Sequence, residues 1–428
     1  MSPKPVIAVA PSAARLTKSL RDIGYDLPAA VADLVDNSIA ASAERVHIRF
    51  SGEGAPRVII ADDGHGMDPH QMHEALRFGT RRAYTRGELG RYGLGLKTAS
   101  LSQARRLTLI SQPEGTIIPT VRQLSLDSVE HHDNWVIDVP AESAAIREAL
   151  TLLDQGFRTI VVWEDLDRVI PENMVDGWAK RRMATSGQKT AQHLGMVFHK
   201  YLDGSAGRRI SMQVDDTTVT AWDPFARGEK ATIALPSQTF EVNWGGHSGQ
   251  VTLDRWVLPT RQSFSSQDAF DGAAGPLKWN RQQGIYIYRA NRLVQGGGWA
   301  GLRAIDEHTK IARCALSFDT DLDAAFNINV AKMRVSLPSE LKPMLQRPVQ
   351  EMCNRAEAVY RQANLHKETA PTASKRSAGG MVDAQAGLAL FAAAAKSNQL
   401  EALRSIANSL ADESPDLAAA LGLTSLQS

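Results

Sequence analysis

A chain of 428 residues exceeds what one hydrophobic core usually serves, so two domains and a smaller third are expected. Its 48 basic and 47 acidic residues nearly cancel, so no global charge announces a nucleic-acid or membrane partner, although local patches can hide inside a neutral sum. Cys314 and Cys353, the two cysteines, lack the spacing of a zinc site or disulfide framework, and no apolar run makes a secretory leader or a membrane span, so a soluble cytoplasmic protein with no membrane association is expected.

In chain order, residues 12–42 are helical in pattern, with Ser12 and Asp26 as N-caps and Pro28 in the turn after the second. Leu27, Ala30, Val31, Leu34, Val35 and Ile39 form an apolar stripe, while Asp33 and Asn37, four apart, share another face and can reach one ligand beside the helix. RVHIRF (45–50), RVIIAD (57–62), RRLTLIS (105–111), NWVIDV (134–139) and RTIVVW (158–163) read as strands. Between the second and third, DPHQMHEALRFG reads as a short helix capped by Asp68. Such mixing over the first 170 residues predicts an α/β fold of the two-layer α+β sandwich kind.

Beyond Pro171 a basic helical stretch (177–202) leads into a second mixed region with strands RISMQVD, TFEVNW, VTLDRWVL and GIYIYR, closing near NINVAKMRVSLP. An amphipathic helix is expected over 339–364, a polar linker follows from 366, and alanine-rich residues 386–422 suit two short helices. The expected divisions are 1–170, 171–340, a helix at 341–365, a linker at 366–385 and a helical tail at 386–428.

Two glycine-bearing segments carry the chemistry. VIIADDGHGMD ends a strand on Asp62, a carboxylate able to accept from an exocyclic amine, with Gly64 and Gly66 letting the backbone approach a flat ring. GELGRYGLGLKTASLSQ puts Gly90, Gly93 and Gly95 before a run that regains helical character, where backbone N–H groups and the helix dipole suit phosphates. A charged loop, rather than a strand, precedes it, which argues against a dinucleotide fingerprint, and no P-loop pattern occurs.

Taken in order, the acid and amide on one helical face, the strand ending in D-x-G-x-G, the G-x-x-G-x-G helix entrance and the strand opened by Gly156, Thr159 and Ile160 resemble the four nucleotide-binding motifs of the GHKL ATPases. The resemblance covers about residues 10–170 and implies the Bergerat ATP-binding fold, ATP and Mg²⁺ as cofactors, and ATP hydrolysis. By it, Asp33 would be the general base, Asn37 the Mg²⁺ ligand, and Asp62 the adenine acceptor supported through water by Thr159. Gly64, Gly66 and Met67 would shape the base pocket, while Gly90, Gly93, Leu94, Gly95 and Leu96 would wrap the triphosphate in a lid beginning near Gly79. Lys97 would reach phosphate or be an ordinary solvated lysine. Two departures stand out: Asp33 takes the place of the usual Glu, and Ala40 replaces an acid, while Asp36 is a rival base on a different face.

QGIYIYRANRLV and NINVAKMRVSLP resemble segments of the MutL transducer domain, a ribosomal-protein-like module, and the match makes Lys332 the side chain that would touch the γ-phosphate. DLVDNSIAASAERVHI and GRYGLGLKTAS also resemble MORC-type ATPases. The resemblance implies an ATP-dependent homodimer, with residues 1–25 as a strap, acting on DNA in repair, restriction or anti-phage defence beside a partner nuclease or helicase. The alternatives are a chaperone or scaffold for protein clients and an ATP sensor with little turnover. Outside these motifs, His131, His132, His193 and His199 lack zinc spacing, and Lys180, Arg181, Arg182, Lys189, Arg208 and Arg209 form a basic cluster suited to phosphate backbones or to a solvated face.

Overall fold

The computed structural model describes residues 11–22, 24–79, 95–171, 177–245, 247–328 and 335–369, together with a helix and short pieces within 390–421. Two compact units result, residues 1–361 and 362–428.

The first unit is built on two sheets. Seven strands form the first, in the order β4 (Thr120–Ser125), β3 (Arg106–Ser111), β5 (Thr159–Glu164), β2 (Arg57–Asp62), β1 (Arg45–Ser51), β6 (Ser211–Val214) and β7 (Thr217–Thr218). All neighbours are antiparallel except β1 and β6. The period of two in RVIIAD sorts its side chains: Val58 and Ile60 face the larger core, Ile59 and Ala61 the smaller one. The larger core is closed by α1 (Ala13–Arg21), α2 (Leu27–Ala40), α3 (Pro69–Leu76), α4 (Gly95–Leu101), α5 (Leu126–His132) and α7 (Trp178–Val197). α6 (Ala144–Leu150) covers part of the opposite face through Ala145, Ile146 and Ala149.

The second sheet runs β11 (Arg292–Gln295), β10 (Gly284–Arg289), β12 (Ala312–Phe318), β9 (His247–Val257) and β8 (Ile233–Trp244). β10 is buried throughout: Ile285 and Ile287 meet the long helix α11 (Leu341–Thr369), while Tyr286 and Tyr288 join Phe225 on the other face. α8 (His199–Leu202), α9 (Gln267–Ala273) and α10 (Lys278–Gln282) complete this unit, and α12 (Leu400–Glu413) lies in the second.

The mixed α/β expectation holds, and caps act where the sequence put them. Ser12 accepts from Arg15, Asp26 from Ala29, and Asp68 forms a reciprocal capping box with Gln71. One expected strand is corrected. NWVIDV makes only a single bridge, Asp138 to Gln123, because the sheet edge is taken by TVRQLS, a polar strand that the alternation rule passes over. RISMQVD, read with the second region, adds β6 to the first sheet beside Arg45–Ile48, so elements beyond residue 170 complete the first layer.

Candidate functional site

Register builds one corner of the site. Asp62 at the end of β2 lies opposite Thr159 at the start of β5, and Ser111 at the end of β3 lies opposite the same threonine. Asp62 is buried, accepting from Ser38 Oγ at 2.9 Å and from the Gly64 N–H at 3.0 Å. Burial pushes its carboxyl up to about 6, against the pull of those two donors. Ser111 Oγ donates to the Arg158 carbonyl at 3.0 Å, sits 3.5 Å from Thr159 Oγ1 and accepts from the Met67 N–H at 2.8 Å, which fixes the D-x-G-x-G turn. A Cβ on Gly64 would lie 2.7 Å from Ala41, and one on Gly66 would lie 2.9 Å from Pro113 Cα, so only glycine fits either position. Met67 is half-buried against the larger core. Ser38 and Ser111 escaped the sequence reading, although Ser38 lies inside DLVDNS and Ser111 ends RRLTLIS, where pairing with Thr159 would have found it.

The second corner is the meeting of α2 and α4. Asp33 and Asp36 are buried to 1% exposure, whereas Asn37 is exposed, so the helix presents its amide to solvent and its acids to protein. Asp33 accepts from Tyr25 Oη at 2.7 Å. Burial and that carboxylate together raise the Tyr25 hydroxyl far above its ordinary range, which keeps it a donor. Gly95 opens α4 with its Cβ-less face toward Asp33, where an added Cβ would stand 3.8 Å from Oδ2. Leu96 packs against the larger core.

Lys97 is buried rather than solvated, and its Nζ donates to the Ala75 carbonyl at 2.7 Å, tying α4 to the end of α3. Burial lowers its ammonium to about 8, with Glu74 opposing. Gly90, Gly93, Leu94 and Lys332 lie outside the described residues.

An arginine inside the QGIYIYRANRLV segment, which the MutL resemblance takes in without giving it a role, reaches this corner from the second sheet. Arg292, the first residue of β11, donates through Nε to Asp36 at 2.9 Å and holds Nη2 3.5 Å from Asp33. The resemblance marked its segment but not its partners, of which Asp36 lies 256 positions away.

Asn37 suits Mg²⁺ in chemistry, offering a hard amide oxygen to solvent. Among the described residues no group of three His, Cys, Asp or Glu side chains could hold a metal ion. His199 is buried with Nε2 2.7 Å from Tyr288 Oη, and burial lowers it to about 4, consistent with a neutral core imidazole. Part of the basic cluster is committed to the fold: Lys180 pairs with Glu53 at 2.6 Å, Arg208 donates to the Ile39 carbonyl, and Arg209 donates to the Leu202 carbonyl at 3.1 Å. No described helix is long and apolar enough to cross a membrane.

Residues 25–155 match the family model described as histidine kinase-, DNA gyrase B-, and HSP90-like ATPase. Over 128 residues the chain is 30% identical to the ATPase MORC2 of Homo sapiens, covering 28% of this chain and 12% of that one. It is 36% identical over 89 residues to the ATPase morc-1 of Caenorhabditis elegans, covering 21% and 10%. It is likewise 36% identical over 90 residues to the DNA mismatch repair protein MutL of Rhodospirillum rubrum, covering 20% and 14%. A solved N-terminal domain of a DNA repair protein aligns with TM-score 0.46 and 17% identity over 82% of this chain and 98% of its own. The aligned stretches are thus a small part of these curated relatives, 14% at most of the three named here. The family match at residues 25–155 takes in Asp33, Asp62 and Gly95, so the domain carrying them is of the GHKL ATPase family, and the chain's matched stretches relate it to MORC and MutL proteins.

Proposed function

We propose that the protein is a Mg²⁺-dependent ATP hydrolase working as an ATP-gated dimeric clamp in DNA transactions such as repair, restriction or defence against foreign DNA. The observation that supports it most is the pairing of two corners. A buried Asp62 with Ser38, Thr159 and two obligatory glycines suits an adenine ring, and α2 carries Asp33 and Asn37 beside the entrance of α4. In this reading Asp62 accepts from the adenine amine and Thr159 assists through water, while Met67 walls the base. By the family resemblance, Gly90, Gly93, Leu94, Gly95 and Leu96 would surround the phosphates. Asn37 would hold Mg²⁺, which when bound offsets phosphate charge.

Asp33 then takes a proton from the water whose oxygen bonds to the γ-phosphorus, as the bond to the β–γ bridging oxygen breaks and ADP leaves. Lys332, carried by the proposed transducer module of residues 171–340, would touch the γ-phosphate, so ATP but not ADP would favour the closed dimer. Cutting of DNA would fall to a partner nuclease or helicase.

A second reading, an ATP sensor with little turnover, is favoured by the crowding of Asp33, whose carboxylate already meets Tyr25 at 2.7 Å and Arg292 at 3.5 Å. One experiment separates them: phosphate release and oligomer size with ATP·Mg²⁺, with and without duplex DNA, for wild type, Asp33→Asn and Lys332→Ala. The hydrolase reading expects Asp33→Asn to bind ATP yet release phosphate about 100-fold more slowly or worse, and Lys332→Ala to remain monomeric. Equal release by wild type and Asp33→Asn would leave the sensor. Absence of any ATP binding by folded protein would end both.

A further inference from the structure

Asp33 and Asp36 lie one turn apart on α2, both at 1% exposure, and a buried cation facing both favours such a pair in its charged form. The cation comes from the far sheet. β10 and β11 are joined by a two-residue loop, Ala290 and Asn291, both in the left-handed region at φ 45° and 66°. That is the geometry of a tight hairpin turn, which asparagine accepts and alanine resists. Ala290 is held there from both sides, its N–H donating to the Phe318 carbonyl at 3.0 Å and its carbonyl accepting from Tyr201 Oη at 2.9 Å.

Arg292 follows directly, 4% exposed, with Nε on Asp36 at 2.9 Å, Nη2 3.5 Å from Asp33 and its guanidinium 5.8 Å from the Phe198 ring. One planar fork thus spans both acids, a role that lysine's point charge does not reproduce.

We propose that Arg292 is a positioning residue: the two-carboxylate bridge from β11 holds the α2 turn bearing Asp33 in its working place, so hydrolysis depends on docking of the second sheet onto that helix. The proposal rests on the reading of Asp33 as the base. It assigns Arg292 no contact with nucleotide; its effect passes through Asp33.

The test uses the full chain, with Arg292→Ala, Arg292→Lys and Asp36→Asn compared with wild type for ATP turnover and for affinity toward a non-hydrolysable ATP analogue with Mg²⁺. Expected are turnover falling about tenfold to hundredfold in Arg292→Ala, analogue affinity within about threefold of wild type, and a smaller loss in Arg292→Lys. Millimolar guanidinium should restore part of the Arg292→Ala turnover and none of that of Asp33→Asn. Unchanged Arg292→Ala turnover, with wild type active, would overturn this proposal alone. So would equal losses in turnover and affinity without guanidinium rescue, or failure of both Arg292 variants to fold, since either outcome makes the bridge merely structural. A wild type that binds ATP without hydrolysing it would overturn the reading of Asp33 and this proposal together.

Discussion

At Asp62 the burial that suits an adenine amine also acts against stability. Its folded-state carboxyl is raised from 3.8 to about 6, so the native form holds the proton more tightly than the unfolded chain does. The associated stability is therefore full below pH 3.8 and lost as pH rises through about 6. Asp62→Asn escapes that loss, and relative to wild type it should gain up to about 3 kcal/mol across the window, read by urea unfolding at several pH values. The same variant should bind ATP about tenfold or more weakly, because a charged acceptor is gone. Two glycines make a contrasting pair. Gly64→Ala drives a methyl to 2.7 Å from Ala41 and should cost about 1–3 kcal/mol, visible as a lowered melting temperature. Gly95→Ala meets Asp33 Oδ2 only at 3.8 Å, so it should melt as wild type does while turning over ATP more slowly.

Helix α3 shows how one element is held at both ends. Asp68 and Gln71 cap its start reciprocally, at 2.8 and 2.9 Å, and Asp68→Ala should cost about 1 kcal/mol. Its last turn is tied by Lys97 through the Ala75 carbonyl. Burial lowers the Lys97 ammonium from 10.5 to about 8, so the penalty for burying the charge is complete below pH 8 and is relieved as pH rises through 10.5. The stability of Lys97→Met relative to wild type should therefore fall by up to about 3 kcal/mol as pH is raised through that window, a trend that thermal or urea melts can follow. In α2 the two residues placed on one face part company: Asp33 is buried with Asp36, while Asn37 is exposed. Neighbours cover that helix nearly all round, leaving Asn37 open within its polar turn.

At the scale of the molecule, the first sheet needs parts that lie past residue 170. β6 pairs with β1, and Met183, Leu194, Val197 and Phe198 belong to the larger core. A chain truncated after residue 170 would expose that apolar face and leave Asp33 and Asp36 without the guanidinium of Arg292. It should aggregate or lack a cooperative melt, which circular dichroism and size exclusion would report. Under the proposed DNA-clamp function, affinity for duplex DNA should fall linearly in log–log form with salt, the slope counting the phosphates neutralised. A chaperone of protein clients would show no such slope.

The sequence by itself determined the order and type of the elements around the site, because caps, strand alternation and glycine spacing are local rules that Ser12, Asp26, Asp68 and RVIIAD each obey. It also marked Asp33, Asp62, Gly64 and Gly95 as chemically exceptional, since acids and glycines in otherwise apolar periodic segments conflict with simple packing. Tertiary structure alone decided which acids would be buried, that Lys97 would serve a helix end, and that Arg292 would bridge Asp33 and Asp36 from 256 residues beyond the latter. Those outcomes depend on which distant side chain supplies the compensating hydrogen bond or charge, and no periodicity along one segment encodes a partner on another sheet.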